Sequence, residues 1–226
     1  MLCFGRSCLE FCVSFAIEMI RLSIIGNSGN KLPLSVNAWK FAKCAVQLKI
    51  AEILKREGKM RSDIQLQSGG SSGIDHLTLL LFNESFEEKE GSFKACHLYL
   101  PSAFQFDDSG GALGFSTTNP YSIAAAATLN RLHGEFSTLV LGYNSYDDFI
   151  KAKTNGMTCT IGCGFFARNR MLAAQTDICI ALTFGTGAEP KDGGTRYTWS
   201  MLAQHALKIH ISLQRDHQPS LQNHKN

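Results

Sequence analysis

The sequence lacks a strong excess of charge of either sign. Its formal net charge is +3 over 226 residues, and no segment concentrates Lys and Arg. Proteins that grip a nucleic-acid backbone usually carry a basic stripe with exposed aromatic side chains, so this charge balance disfavours that class. With 44% hydrophobic and 18% charged residues, the composition is that of a globular protein and not of a disordered one.

A long apolar run free of charges is also missing. The first twenty residues are apolar, but Arg6, Glu10 and Glu18 interrupt them. A signal peptide needs a clean apolar stretch and a membrane span needs a longer uncharged one, so we expect a cytoplasmic protein without a membrane partner. Residues 1–18 are interpreted as an N-terminal extension. Two readings of it stay open: an amphipathic leading helix, or an upstream extension of the reading frame with Met19 as the start.

The eight cysteines lack the spacing of a metal site or of a disulfide framework. Cys96, Cys159 and Cys179 fall inside apolar runs, which is typical of reduced, buried thiols. Cys159 and Cys163 are spaced poorly for a zinc knuckle, and no nearby Cys or His pair completes four ligands. We therefore predict neither a metal nor a cofactor.

Strand-like and helix-like segments alternate along the chain. The apolar run RLSIIG ends in a Gly/Asn/Ser turn, and a stretch with helical spacing follows it, closed by Lys55, Arg56 and Gly58. Beyond these elements we predict strands at 63–66, 94–100, 157–161, 177–183 and 208–213, and helices at 74–82, 120–136, 146–155, 165–175 and 195–207.

This alternation predicts an α/β protein with a Rossmann-like three-layer fold, in which helices flank a mostly parallel central sheet. We expect a single domain over residues 19–213 and a polar, frayed tail over 214–226. Residues 102–118 show no sustained period and many Gly, Ser and Asp residues, so they predict a loop near the ligand side, or a partly disordered segment.

Three polar clusters lie where this fold would place a ligand, beyond the carboxyl ends of parallel strands. Glycines let backbone N–H groups approach a phosphate, and a helix N-terminus adds a favourable dipole. The candidate ligand-binding residues are Gly26, Ser68, Gly69, Gly70, Ser71, Ser72, Gly73, Asp75, Arg168, Asn169, Gly193, Gly194, Thr195 and Thr198. The candidate catalytic residues are Arg168 and Asp192.

Several of these residues have a simpler interpretation. Asp75 could be a first-turn acid that favours the helix dipole, and Thr195 could be an N-cap. Arg168 and Arg170 are two positions apart and do not share a helix face, so we expect one of them at most to reach the ligand, and we favour Arg168. His76, beside the glycine loop, is interpreted as structural.

Taken in order, SGGSSGID, ARNRMLAAQTDICIAL and GGTRYT resemble the motifs of the SLOG superfamily, over roughly residues 21–213. That group includes the bacterial DNA-processing protein A and the LONELY GUY phosphoribohydrolases. The resemblance implies a Rossmann-like sheet that binds a nucleotide or a nucleotide derivative, and it implies a homo-oligomer.

In the LONELY GUY enzymes, a helix arginine and a glutamate in a GGxGTxxE motif serve hydrolysis of the bond between base and ribose phosphate. Arg168 matches that arginine, but Thr198 stands at the position of the glutamate and cannot act as a carboxylate base. Asp192 and Glu189 lie in the same loop as possible substitutes. Catalysis as a nucleotide N-glycosidase therefore stays undecided from the sequence.

Two functional classes remain. The first is a protein that binds a nucleotide-like phosphorylated small molecule, as a sensor or as a hydrolase. The second follows the DNA-processing relatives and is a single-stranded nucleic-acid-binding protein. The absence of a dense Lys/Arg cluster favours the first class.

Overall fold

The computed structural model describes residues 19–88, 91–191 and 193–214. The predicted extension 1–18, all but the first residue of the predicted tail, and the candidate catalytic residue Asp192 lie outside the described residues. The strands are β1 Ile20–Gly26, β2 Ile64–Ser68, β3 Ala95–Leu100, β4 Ala103–Phe106, β5 Ala112–Ser116, β6 Thr158–Ile161, β7 Ile178–Thr183 and β8 Leu207–Ser212. The α-helices are α1 Val36–Glu57, α2 Leu77–Ser85, α3 Pro120–Phe136, α4 Tyr146–Thr154, α5 Gly164–Ala174 and α6 Gly193–Met201.

The central sheet has the strand order β6-β3-β2-β1-β7-β8, and each neighbouring pair is parallel. Successive residues of a strand point to opposite faces of the sheet. One face packs against α1, α2, α3 and α4, and the other against α5 and α6. The predicted α/β fold, Rossmann-like with helices on both sides of the sheet, is confirmed.

The strand order reverses at β1. The chain from β1 to β6 builds the sheet toward one edge, and it then crosses back to place β7 on the other side of β1. In open α/β sheets a crevice opens at this kind of reversal, outside the carboxyl ends of the strands. In this chain the reversal lies between β1 and β7, so the ends of these two strands face such a crevice.

Helix α1 ends where its sequence predicts, and a side chain caps its first turn. The Ser35 hydroxyl accepts a hydrogen bond from the Ala38 N–H at 3.1 Å, which satisfies one of the free donors of the first turn. At the other end Gly58 takes the left-handed conformation with φ of 60°, after Lys55 and Arg56 in the last turn. Among the described residues no helix is long and apolar enough to cross a membrane.

The prediction of a loop or a partly disordered segment over 102–118 is wrong. β4 and β5 form an antiparallel hairpin, and the Phe104 ring stacks on Phe149 with 4.3 Å between their centroids. Phe115, on β5, is buried in the same aromatic cluster. The sequence does not reveal the hairpin, because its strands span only four and five residues and are too short to show a clear alternation of apolar and polar residues. A Gly/Ser/Asp turn separates them. Its two phenylalanines contribute to the core.

Candidate functional site at the carboxyl end of the sheet

Gly26 contacts two of the three predicted clusters: the first, at residues 68–75, and the third, at residues 192–198. Its N–H donates to Oδ1 of Asp75 at 3.1 Å, and its carbonyl accepts from the Thr195 hydroxyl at 3.1 Å. A Cβ added at Gly26 would lie 2.3 Å from the carbonyl oxygen of Leu182 on β7 and 2.7 Å from the Cβ of Ile74. Only glycine fits here, so the reversal point of the sheet depends on this residue.

The Ser/Gly loop, residues 68–73, is buried along its whole length. The Ser72 hydroxyl donates to the carbonyl of Ser28 at 2.8 Å, and the Ile74 N–H donates to the carbonyl of Asn27 at 3.0 Å. Gly73 has φ of 66° and lies so close to Asn27 that an added Cβ would be 2.3 Å from its carbonyl oxygen. The loop is therefore packed onto the turn that follows β1.

His133 supports the loop from its inner side. Its Nε2 lies 3.2 Å from the carbonyl oxygen of Gly70, and its Nδ1 lies 3.0 Å from the Ser145 hydroxyl. Burial, together with the nearby His76, lowers the pKa of His133 to about 3, so the ring is neutral. A neutral ring donates from Nε2 to Gly70 and accepts at Nδ1 from Ser145. The sequence offered no signal for this support, since His133 lies about sixty positions from the loop.

His76, interpreted from the sequence as structural, is fully buried, and its Nε2 lies 2.8 Å from Oδ2 of Asp148. Burial alone would raise the pKa of Asp148, but the hydrogen bonds from His76 and Tyr143 outweigh it and hold that pKa below its ordinary value. This pair lies inside the fold, so it strengthens the scaffold below the Ser/Gly loop.

Asp75 and Arg168 form a buried ion pair, with 3.2 Å between Oδ2 and Nη1. Asp75 is 5% exposed and Arg168 is 7% exposed. Burial raises the pKa of Asp75, although Arg168 and the N–H groups of Gly26 and Ser71 oppose the shift. Asp75 therefore does more than favour a helix dipole: it brings Arg168, ninety-three positions later, onto the Ser/Gly loop.

Arg168 has more donors than the described part of the chain uses. Its Nη1 donates to Asp75, while its Nε is buried without a hydrogen-bond partner. A guanidinium carries five N–H donors, and buried donors are nearly always paired in folded proteins. Burial lowers the pKa of Arg168 and the charge of Asp75 raises it, so the arginine is held here at an electrostatic cost.

The third cluster lies at the start of α6, where Gly193 and Gly194 are exposed. Asn169 of α5 is buried, and its Nδ2 lies 3.6 Å from the position of a Cβ added at Gly194. Arg170 is exposed, in line with the expectation that only one of the two arginines reaches this region.

The Thr198 side chain forms its hydrogen bond within its own helix. Thr198 is buried, and its hydroxyl donates to the carbonyl of Gly194 at 3.0 Å. Glu189, one possible substitute, is exposed in the loop before α6. The Thr195 hydroxyl donates to Gly26 and so ties α6 to β1. Within the described residues, no group of three or more His, Cys, Asp or Glu side chains is arranged to hold a metal ion.

Comparison with known proteins places the chain in a family. No family model matches it. It is 31% identical over 199 residues to "Uncharacterized protein R261" of Acanthamoeba polyphaga mimivirus. The matched region covers 86% of this chain and 96% of the viral protein. The chain belongs to the family of R261.

In this member of the R261 family, the residues around the start of α6 offer mainly hydrogen-bond donors. They are the first N–H groups of α6 and the amide of Asn169; the residue next to Asn169, Arg168, adds an unpaired Nε beside the Ser/Gly loop. Asp75 has one oxygen bonded to Gly26 and the other to Arg168. An arrangement rich in donors, with its carboxylate already occupied, is suited to an anion.

Proposed function

We propose that this protein binds a phosphorylated, nucleotide-like small molecule between the ends of β1 and β7. The observation that carries the proposal is the position of Arg168. It is buried against Gly69 of the Ser/Gly loop, Asp75 holds it in place, and its Nε has no partner among the described residues. Charged side chains of this kind, kept buried beside a cleft, are concentrated at functional sites.

The phosphate would bind at the N-terminus of α6. Two exposed glycines there leave the backbone N–H groups open to an oxygen ligand, and the helix dipole favours negative charge. Asn169 would add an amide donor, and Arg168 a guanidinium. The order of the three motifs, which resembles that of the SLOG superfamily, supports the same assignment.

We propose a sensor or carrier rather than a hydrolase. Glycosidic hydrolysis needs a carboxylate that is free to act on the bond between base and sugar. Asp75 is bonded through both oxygens, Thr198 is bonded within α6, and Glu189 is exposed in its loop. Asp192 is the remaining candidate, and the experiment below tests turnover directly.

Binding of single-stranded nucleic acid is the alternative. The small net charge of the chain and the absence of a dense run of Lys and Arg in its sequence disfavour it. Affinity for a polynucleotide backbone falls steeply as salt rises, whereas affinity for one phosphate falls weakly. We also propose, on the grounds given by the sequence, a cytoplasmic protein that forms homo-oligomers.

The test is a binding and turnover assay with the purified protein. A panel of nucleoside phosphates, ADP-ribose, NAD and cyclic nucleotides would be incubated with it, and bound and free species resolved by mass spectrometry. Intact ligand should be retained by the wild type and by Arg170→Ala, a matched control on the exposed side of α5. Arg168→Ala should bind at least about tenfold more weakly, since one charge-assisted hydrogen bond is worth that much.

Arg168→Ala leaves Asp75 buried without its partner, so its fold must be checked by circular dichroism. Asn169→Ala provides a second variant with no charge left behind, and it should also weaken binding. Release of a free base by the wild type would show a hydrolase and would direct attention to Asp192. Binding of an oligonucleotide with a steep salt dependence, and of nothing else in the panel, would overturn the proposal.

A further inference from the structure

An exposed aromatic pair lies beside the start of α6. Phe166 of α5 is 67% exposed, and its ring meets that of Tyr197 of α6 edge to face, with 5.0 Å between their centroids and 82° between their planes. Tyr197 is itself half-buried. A large aromatic side chain held in place by a second ring, yet exposed to this extent, is often part of a recognition surface.

The pair is next to the donors of the candidate phosphate site. Phe166 lies three positions before Asn169 on α5, and Tyr197 lies three positions after Gly194 on α6, so each ring shares a helix face with a residue of that site. Asn169 and Gly194 approach each other across the same two helices. The aromatic pair is therefore about one helical turn, roughly 5 Å, from the position of the phosphate.

We propose that the ligand carries a planar ring that stacks on Phe166, with Tyr197 supporting that ring from the side. This inference rests on the proposed function and narrows it: the site takes a nucleotide with its base and discriminates against a sugar phosphate that lacks one. Stacking accepts any base, because each base has a π-face. Selectivity among the four bases would need hydrogen bonds that this pair does not supply.

The experiment compares ligands that differ only in the ring. Ribose 5-phosphate and the four nucleoside 5′-monophosphates would be titrated by calorimetry into the wild type, Phe166→Leu and Phe86→Leu. Phe86 follows α2 and is 49% exposed, so the same substitution there is a matched control. Wild type and Phe86→Leu should bind at least one nucleoside monophosphate about tenfold more tightly than ribose 5-phosphate, the gain expected from stacking one base.

Phe166→Leu should lose that advantage and keep its affinity for ribose 5-phosphate, because leucine retains an apolar side chain but offers no ring. If Phe166→Leu binds the monophosphates as the wild type does, the stacking assignment is overturned. Equal binding of ribose 5-phosphate and the monophosphates by the wild type would also overturn it, while leaving the phosphate site intact. Failure of the wild type to bind any of the five ligands would overturn the ring assignment, and failure with ADP-ribose, NAD and the cyclic nucleotides as well would refute the proposed function.

Discussion

A Cβ built on Gly69 lies only 1.1 Å from Nη1 of Arg168, so the guanidinium occupies the space that any other residue at position 69 would fill. The same point is 2.8 Å from Oδ2 of Asp75. The glycine is therefore explained by a side chain of this chain, and a phosphate is not needed to account for it. The Ser/Gly loop, the Asp75 carboxylate and the Arg168 side chain are therefore packed directly against one another.

Replacing Gly69 with alanine should displace Arg168. Gly69 is not among the glycines with positive φ, so alanine can adopt its backbone conformation. Any loss of stability in the variant would therefore come mainly from the clash between the new methyl group and the Arg168 guanidinium. We expect the free energy of unfolding, measured in urea, to fall by about 1–3 kcal/mol, the usual cost of overpacking. In an Arg168→Ala background the same change should cost clearly less, because only the 2.8 Å contact with Oδ2 of Asp75 remains. An equal cost in both backgrounds would show that the contact is not responsible.

Gly26→Ala should be among the most harmful single substitutions in the sheet. The added methyl group meets the backbone oxygen of Leu182, which parallel pairing with β7 keeps from moving away. We expect a loss of about 3 kcal/mol or more in the free energy of unfolding. Gly134→Ala is the matched control: it lies inside α3 with nothing within 4 Å, so alanine should stabilise the protein by up to about 1 kcal/mol. Relative to the wild type, the Tm of Gly26→Ala should fall and the Tm of Gly134→Ala should rise.

His133 should make the protein sensitive to mild acid. Its pKa falls from an ordinary 6.5 to about 3 in the folded protein, so protonation favours the unfolded chain. Its contribution to stability is complete above pH 6.5 and is lost progressively as the pH falls toward 3. For one proton, the slope reaches about 1.4 kcal/mol per pH unit.

His133→Gln keeps an N–H donor for Gly70 and removes the titration. Urea unfolding of both proteins at pH 7, 6 and 5 should show a smaller loss of stability in the variant, although the variant starts from a lower value at pH 7. Other acid-sensitive groups, such as Asp148, are common to both proteins and cancel in the comparison. Parallel pH profiles would rule out this role for His133.

The regular part of the fold was accessible from the sequence because local patterns encode it. Ser35, Gly58 and the helical spacing between them set the ends of α1, and the apolar run of β7 predicts a strand buried on both faces. The hairpin over 103–116 was missed because its stability comes from Phe104 and Phe115 packing on α4, a contact that no local window contains.

The sequence predicts which candidate residues lie at the same edge of the sheet, but it does not predict the hydrogen bonds between them. Motif order and the rule for parallel sheets bring Gly26, Asp75, Arg168 and Thr195 to one edge. They do not tell which donor meets which acceptor, and so the Ser/Gly loop was expected to face a ligand while the structure packs it against Asn27, Ser28 and Arg168. That outcome depends on contacts between residues up to ninety-three positions apart.

The central place of β1 has a consequence for the newly made chain. One edge of β1 pairs with β2, and the other edge pairs with β7. The partners on the second edge come late in the chain: the Arg21 N–H donates to the carboxylate of Asp177, 156 positions later. Because a ribosome delivers the chain from its N-terminus, β1 emerges early and keeps an unpaired edge until most of the protein has been translated. Open strand edges recruit other strands. A chain interrupted before residue 178 would therefore be expected to aggregate instead of persisting as a partly active fragment.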